Sequence, residues 1–225
     1  MITANKIVYN LKNIGSSGPA SDDFRISDRQ LLHWYQGVRS MLISQAIKNK
    51  QDNTDEWIQT IPCVDLEQVD KSECCDITTD CYILKSTLPI PATVEVDSFN
   101  SIISVVGMDG KPLSKINQFR ANNIKYNRYT GNRIGWYIKD YYLYVINSDE
   151  LSKVALKGIF EDPTEVEAFF CDSKPCFTWD DRYPVSAKMD NMIVDIVLKT
   201  KVLPLLQMPM DTTNDANNEN QAQRK

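Results

Sequence analysis

The sequence lacks the features that mark most enzymes and membrane proteins. It contains one histidine, His33, so any mechanism built on a Ser–His or Cys–His pair would depend on this residue. It has no nucleophile elbow, no phosphate-binding glycine loop and no dinucleotide-binding glycine triplet. No apolar run is long enough to cross a bilayer, and the N-terminal segment lacks the apolar core of a signal peptide. We therefore predict a protein that is not an enzyme and does not contact a membrane, with His33 as a partly exposed structural residue.

An excess of basic residues is also missing. The 225 residues carry a net charge of −5, which argues against tightly held nucleic acid, because phosphate binding needs a basic surface. DNA that passes nearby without binding remains compatible with this charge. The paired carboxylates Asp22–Asp23 and Asp180–Asp181 lie in polar segments and are interpreted as solvated acids rather than catalytic groups. No cofactor is predicted.

The pattern at the N-terminus predicts helices within residues 1–56. One helix is expected over residues 3–14, with Gly15 in a left-handed conformation at its end. Ser27 and Gln30 then form a capping box that opens a long helix. Its predicted apolar stripe consists of Leu31, Trp34, Tyr35, Val38, Leu42 and Ala46, with Arg29, Gln36, Arg39 and Lys48 elsewhere on the helical wheel.

From residue 57 to 161 the hydrophobic period changes to two, which predicts strands. Pro62 within the first strand indicates an edge position or a bulge. Asp109–Gly110 is a predicted turn with positive φ, and Lys139–Asp140 is expected to connect two tyrosine-rich strands.

Helix returns over residues 162–204. Asp162 and Ser186 are predicted N-caps, and Pro204 is expected to end the last helix. Residues 205–225 are predicted to form an extended arm and a disordered tail. The resulting fold class is α+β, with the N- and C-terminal helices packed together and a central antiparallel β region inserted between them.

Two apolar segments are candidate interfaces. The tyrosine-rich hairpin is interpreted as core or as a contact surface for a protein partner, since aromatic residues are enriched at interfaces. The segment LPLLQMPM resembles an arm that lies in a groove of a neighbouring subunit. The interface candidates are Trp136, Tyr137, Tyr141, Tyr142, Tyr144, Leu203, Leu205, Leu206, Met208 and Met210.

The six cysteines allow three interpretations. Buried free thiols are the default in a long chain without a signal peptide. A disulfide and a structural zinc ion are the alternatives. Zinc would be held by four thiolates drawn from Cys74, Cys75, Cys81, Cys171 and Cys176, although the spacings do not form two C-x2-C pairs and at most one of the adjacent Cys74 and Cys75 could join a given site.

Three long segments, SDDFRISDRQLLHWYQGVRSMLI, CVDLEQVDKSECCDITTDCYILK and CFTWDDRYPVSAKM, occur in this order along the chain. Together with GIFEDPTEVEAFF they resemble the head–tail connector (ring) structural proteins of crAss-like podoviruses, over about residues 5 to 203. The resemblance consists of whole segments and includes no catalytic motif.

The resemblance implies a virion structural protein assembled in the host cytoplasm. It implies a homo-oligomeric ring below the portal protein that joins the capsid to the tail and encloses the DNA channel. The expected partners are copies of the same chain, the portal protein and other connector or tail proteins. The alternative is a zinc-stabilised protein-interaction module.

Overall fold

The computed structural model describes residues 1–16, 18, 24, 26–49, 55–72, 82–96, 99–119, 121, 133–148 and 150–206. Cys74, Cys75, Cys81, Met208, Met210, the pair Asp22–Asp23 and the tail from residue 207 lie outside these residues.

Helices begin where short polar side chains can cap them. The helices are α1 (Ala4–Gly15), α2 (Asp28–Lys48), α3 (Ala187–Val197), a π-helical segment (Leu198–Val202) and α4 (Leu203–Leu206), with 3-10 helices at Asp55–Trp57 and Pro163–Ala168. Ser27 accepts the amide of Gln30, and Ser186 accepts that of Met189, so the predicted starts of α2 and α3 are confirmed. Asp162 caps the second 3-10 helix by accepting the amide of Thr164.

A seven-stranded sheet supplies most of the β structure. The strands are β1 (Gln59–Asp70), β2 (Tyr82–Ser86), β3 (Glu95–Val96), β4 (Phe99–Asn100), β5 (Ile102–Gly107), β6 (Ser114–Lys115), β7 (Gly135–Lys139), β8 (Tyr142–Ile146), β9 (Lys153–Gly158), β10 (Phe170–Cys171) and β11 (Lys174–Pro175). The large sheet has the order β5-β9-β1-β2-β8-β7-β6, while β3–β4 and β10–β11 form separate pairs. Helices and a large sheet are both present, so the α+β class is confirmed.

β1 is an internal strand that contains a proline. Its register with β9 shifts between Ile61 and Val64, which brackets Pro62. A bulge removes the need for a ladder hydrogen bond from the missing amide. The bulge predicted from Pro62 is therefore confirmed.

One pairing departs from the predicted antiparallel region, because β6 runs parallel to β7. The turn after β5 forms at the expected place, with Gly110 at φ 80°. After the turn, the chain pairs with β5 through an isolated bridge from Pro112 to Val106 and a hydrogen bond from the amide of Leu113 to the carbonyl of Val105, and β6 then pairs with β7. The long connection from β6 to β7 is sufficient for a parallel crossover.

The prediction that Pro204 ends the last helix is wrong. The helix continues through Leu206, with Pro204 inside α4. The π-helical segment directly precedes it, and the amide of Leu203 donates to the carbonyl of Leu198, five residues earlier. The hydrogen bonds thus change from the α-helical to the π-helical spacing just before Pro204, the residue that has no amide to donate. The same helix also contradicts an extended conformation for Leu205 and Leu206.

Gly15 also differs from its prediction. It ends α1 within the helix, and Gly110 is the only glycine with positive φ among the described residues. A Cβ at Gly15 would lie 3.2 Å from both the Phe24 ring and Val202 Cγ1. Glycine therefore serves close packing of α1 against the C-terminal helix rather than a left-handed turn.

The main core lies between the helices and one face of the large sheet. Leu11 of α1, Tyr35 of α2, Ile193 of α3 and Leu156 of β9 all belong to it, and each is completely buried. The hairpin β10–β11 interrupts the predicted helical segment 162–204. The domain boundaries at residues 56, 161 and 204 stay a prediction. No described helix is long and apolar enough to span a membrane.

Candidate assembly surfaces and cysteine cluster

The tyrosine-rich hairpin β7–β8 has one face in the core. Trp136 is opposite Val145 on this face, and its side chain is 2% exposed. The indole Nε1 donates to the carbonyl of Leu113 at 3.2 Å, which satisfies the buried N–H. Trp136 is thus a core residue of the subunit, which matches the core alternative for this hairpin.

Tyrosine and lysine side chains occupy the opposite face of the hairpin. The rings of Tyr137 and Tyr144 are stacked, with centroids 5.2 Å apart and planes 7° apart. Lys85 on β2 places Nζ 4.4 Å from the ring centroid of Tyr142. Burial raises the pKa of Tyr137. This ordered face combines aromatic and cationic groups, although Tyr144 itself is almost fully buried.

Tyr141 differs from the other tyrosines because it lies at the hairpin tip. Asp140 and Tyr141 have φ of 51° and 66°, as in a two-residue type I′ turn, so the turn is one residue later than predicted. The Tyr141 side chain is 65% exposed, while its carbonyl accepts the amide of Ile90 at 2.6 Å. Positive φ is unusual for a bulky residue. The turn therefore presents an exposed aromatic ring at the tip of the hairpin.

An open groove of about 810 Å³ adjoins this tip. Residues 90–93 and residues 115–117 contribute to its lining. Tyr141, Ile138 and Lys115 also line it. Burial lowers the pKa of Lys115, whose Nζ lies 5.6 Å from the Trp136 ring centroid.

A second exposed apolar surface lies at the C-terminal end of the last helix. Leu203 is 38% and Leu205 is 52% exposed, whereas Leu206 packs partly against the core. The contact between Gly15 and Val202 places the end of α1, with Ile14 also exposed, beside this helix. The two surfaces that contain the interface candidates therefore belong to different parts of the subunit, the hairpin tip and the helix end.

The described cysteines meet at a site that the sequence did not reveal. The Sγ atoms of Cys171 and Cys176 are 3.4 Å apart, on the β10–β11 hairpin. Cys63, in the bulge of β1, interacts through its thiol with Cys171. Cys63 was not among the zinc candidates, because its contact with Cys171 depends on packing between segments more than 100 residues apart. A possible signal was its position next to Pro62, where a bulge redirects side chains.

The environment keeps these thiols protonated at neutral pH. The hydrogen-bonding interaction with Cys171 raises the pKa of Cys63 to about 11. Burial raises the pKa of Cys171 and of Cys176. Within the described part of the chain, no group of three or more His, Cys, Asp or Glu side chains is arranged to hold a metal ion. The zinc interpretation, which also involves cysteines outside that part, stays a prediction.

The most extensive buried polar contact surrounds Arg39, which the helical wheel had separated from the apolar stripe. Arg39 is completely buried. Its Nε donates to the carbonyl of Pro184 and its Nη1 to that of Phe160, both at 2.8 Å. Its guanidinium carbon lies 5.8 Å from the ring centroid of Tyr183. Burial lowers the pKa of Arg39. The flanking pattern of Tyr35 and Ile43, four residues to either side, was a usable signal of burial.

Two further side chains of α2 extend this network. The Tyr35 hydroxyl donates to Asp190 of α3 at 2.5 Å, and Gln36 donates to Asp162 at 2.6 Å. Burial, with the nearby carboxylate, raises the pKa of Tyr35 well above its ordinary value. Arg39 Nη2 and the Tyr183 hydroxyl are buried without a hydrogen-bond partner among the described residues. The network joins α2 to α3 and to the second 3-10 helix, and is thus a structural link.

The remaining polar candidates have structural surroundings. His33 is exposed on α2. Asp181 accepts the amide of Thr178 at 2.7 Å, and Asp180 accepts the side-chain amide of Asn5 at 2.6 Å. The adjacent carboxylates therefore form separate local hydrogen bonds instead of one shared site.

Comparison with known proteins identifies a family. No curated protein matches the sequence significantly. A family model described as "Phage tail ring protein 2" matches residues 6–221. This match covers both candidate surfaces, the cysteine cluster and the network around Arg39. The chain therefore belongs to the phage tail ring protein 2 family of crAss-like phages, and it is a structural component of the virion.

Proposed function

We propose that this protein forms a homo-oligomeric ring in the head-to-tail connector, below the portal protein. The ring joins the capsid to the tail and encloses the channel through which DNA passes. The observation that carries the proposal is the family match over residues 6–221, which names a ring protein of phage tails. The net charge of −5 supports it, because a protein without an excess of positive charge does not hold DNA tightly.

Contacts between neighbouring subunits use the two apolar surfaces. A ring of identical subunits needs head-to-tail contacts between two different patches. The Tyr141 tip and the helix end with Leu203 and Leu205 are two such patches, and each exposes large apolar side chains. The arm that follows Leu206, with Met208 and Met210, extends the second patch onto a neighbour. The hydrogen bond between Tyr35 and Asp190 links α2 to α3, which leads into the helix end that carries this arm.

Native mass spectrometry and negative-stain microscopy of the purified protein test the ring. We expect closed rings, either of the protein alone or after the portal protein is added. A protein that stays monomeric and does not bind the portal protein would contradict the proposal. Metal analysis of the same sample tests the zinc-stabilised alternative, which predicts stoichiometric zinc.

Two truncations test the arm. Removal of residues 207–225 retains α4 and should leave the subunit folded but weaken ring formation. Removal of residues 211–225 alone retains Met208 and Met210, so this matched control should still assemble. Equal assembly of both truncated proteins would show that the arm makes no contact between subunits.

A pair of turn variants tests the tip. Tyr141→Asn removes the exposed ring while Asn tolerates positive φ, so the hairpin should persist. Asp140→Asn alters the same turn but retains the ring. We expect weaker assembly for Tyr141→Asn only, measured as the fraction of protein in rings. An unchanged fraction for both would remove the tip from the interface.

A further inference from the structure

Cys171 contacts two other thiols. Its Sγ lies 3.4 Å from that of Cys176, and its thiol interacts with that of Cys63. All three cysteines are free and only partly buried, so small reagents can reach them. Among the described residues, they are not part of a group of three or more His, Cys, Asp or Glu side chains arranged to hold a metal ion. Their proximity instead favours chemistry between the thiols themselves.

The backbone of the hairpin already places Cys171 and Cys176 on one face. Cys171 pairs with Lys174, and the Cys176 amide donates to the carbonyl of Phe169 at 2.8 Å. The two cysteines are therefore diagonal neighbours on one face of the hairpin, and their Sγ atoms lie only 3.4 Å apart. Asp172 and Ser173 adopt φ of 51° and 66°, which closes a tight two-residue turn between the strands. A disulfide needs an S–S distance of about 2.05 Å, so the two sulfurs must approach further, by rotation of the side chains together with a small movement of the short hairpin.

We infer that Cys171 and Cys176 form an oxidisable dithiol, and that a low-molecular-weight disulfide converts them into an intrachain disulfide across the β10–β11 hairpin. The Cys171 thiolate attacks one sulfur of the small disulfide, RSSR, and expels one RS⁻ group. The Cys176 thiolate then attacks Cys171 Sγ and expels the second RS⁻ group. The protein loses two thiol protons and two electrons, and the reagent becomes two RSH molecules.

Cys63 is the alternative partner in this site. It interacts with Cys171 from the bulge of β1, so it can replace Cys176 when that thiol is absent. The hairpin also presents Phe170, whose side chain is 57% exposed and which pairs with Pro175. The disulfide therefore fixes a short hairpin that carries an exposed aromatic ring on the subunit surface.

Oxidation of the full chain with glutathione disulfide tests the inference. The reduced protein is incubated with the reagent at mildly alkaline pH, the remaining thiols are alkylated, and unreduced peptides are mapped by mass spectrometry. We expect a cross-link between Cys171 and Cys176, with Cys63 alkylated. Cys63→Ser should retain this cross-link, whereas Cys176→Ser should redirect Cys171 to Cys63.

Other patterns of cross-linked and alkylated peptides would overturn the inference. In the wild-type protein, alkylation of both Cys171 and Cys176, or a stable mixed disulfide with glutathione, would show that the pair does not close. A cross-link from Cys171 to Cys74, Cys75 or Cys81 would assign it another partner. Stoichiometric metal bound to the thiols would also contradict it. The wild-type map decides the question even when a Ser variant fails to fold.

Discussion

Replacement of Arg39 by alanine tests the buried network most directly. Arg39 is completely buried and joins α2 to two backbone carbonyls from distant segments, those of Phe160 and Pro184. Alanine provides no donor, so both carbonyls lose this partner in a buried site. The variant should still contain the same helices, because alanine favours helix formation.

The expected loss of stability follows from the removal of these two hydrogen bonds. An unsatisfied buried polar group costs roughly 1–3 kcal/mol, and a cavity adds to this cost. Removing the cost of burying a guanidinium offsets part of it, since burial already disfavours the charged form and lowers the pKa of Arg39. With two unsatisfied carbonyls, a cavity and this offset, we expect Arg39→Ala to reduce the free energy of unfolding by about 3–5 kcal/mol, which is a large part of the usual 5–15 kcal/mol.

Urea unfolding of the monomeric subunit, followed by tryptophan fluorescence, measures this loss. Trp57 and Trp136 are both buried and should report unfolding. Arg39→Lys keeps the charge but lacks the planar fork, so we expect an intermediate loss. Arg29→Ala is the matched control, because Arg29 is exposed on the same helix and its removal should change stability by at most about 0.5 kcal/mol.

The reasoning fails if the free energy of unfolding of Arg39→Ala lies within about 1 kcal/mol of the wild-type value at an unchanged m-value. Such a result would mean that other donors or water satisfy the two carbonyls. An equal loss for Arg29→Ala would instead show that the effect belongs to the helix and not to the network.

Three other changes have signs that the structure fixes. Gly37→Ala should stabilise the protein by roughly 0.5–1 kcal/mol in urea unfolding. Gly37 is exposed within α2, and an added Cβ meets nothing within 4 Å. A loss of stability would contradict this reasoning. Tyr35→Phe should cost about 1.5–3 kcal/mol in the same assay, because Asp190 loses a hydrogen-bond donor, and a neutral effect would contradict that bond. Burial and nearby carboxylates raise the pKa of Glu165, so its folded-state pKa lies above the unfolded one and its charge destabilises the fold at neutral pH. Glu165→Gln should therefore raise Tm at pH 7 but not below about pH 4, where the unfolded carboxyl is also protonated; a lower Tm at pH 7 would contradict the sign.

Local chemistry in the sequence was sufficient to predict three helix starts, one bulge and one turn. The caps at Ser27, Asp162 and Ser186 depend on side chains that bond to amides two or three residues ahead. The bulge at Pro62 follows from a missing amide, and the turn at Gly110 follows from its tolerance of positive φ. Each of these features depends on residues that are close in the sequence, so each could be predicted without knowing the tertiary structure.

Tertiary structure alone decided the features that join distant segments. Arg39 is buried because the carbonyls of Phe160 and Pro184, more than 100 residues away, meet its guanidinium. Cys63 joins Cys171 because the β10–β11 hairpin packs against the bulge of β1. No spacing rule encodes such contacts, since they depend on how whole elements pack. The sequence by itself thus determined the α+β elements and the family, while packing determined which polar and thiol groups became neighbours.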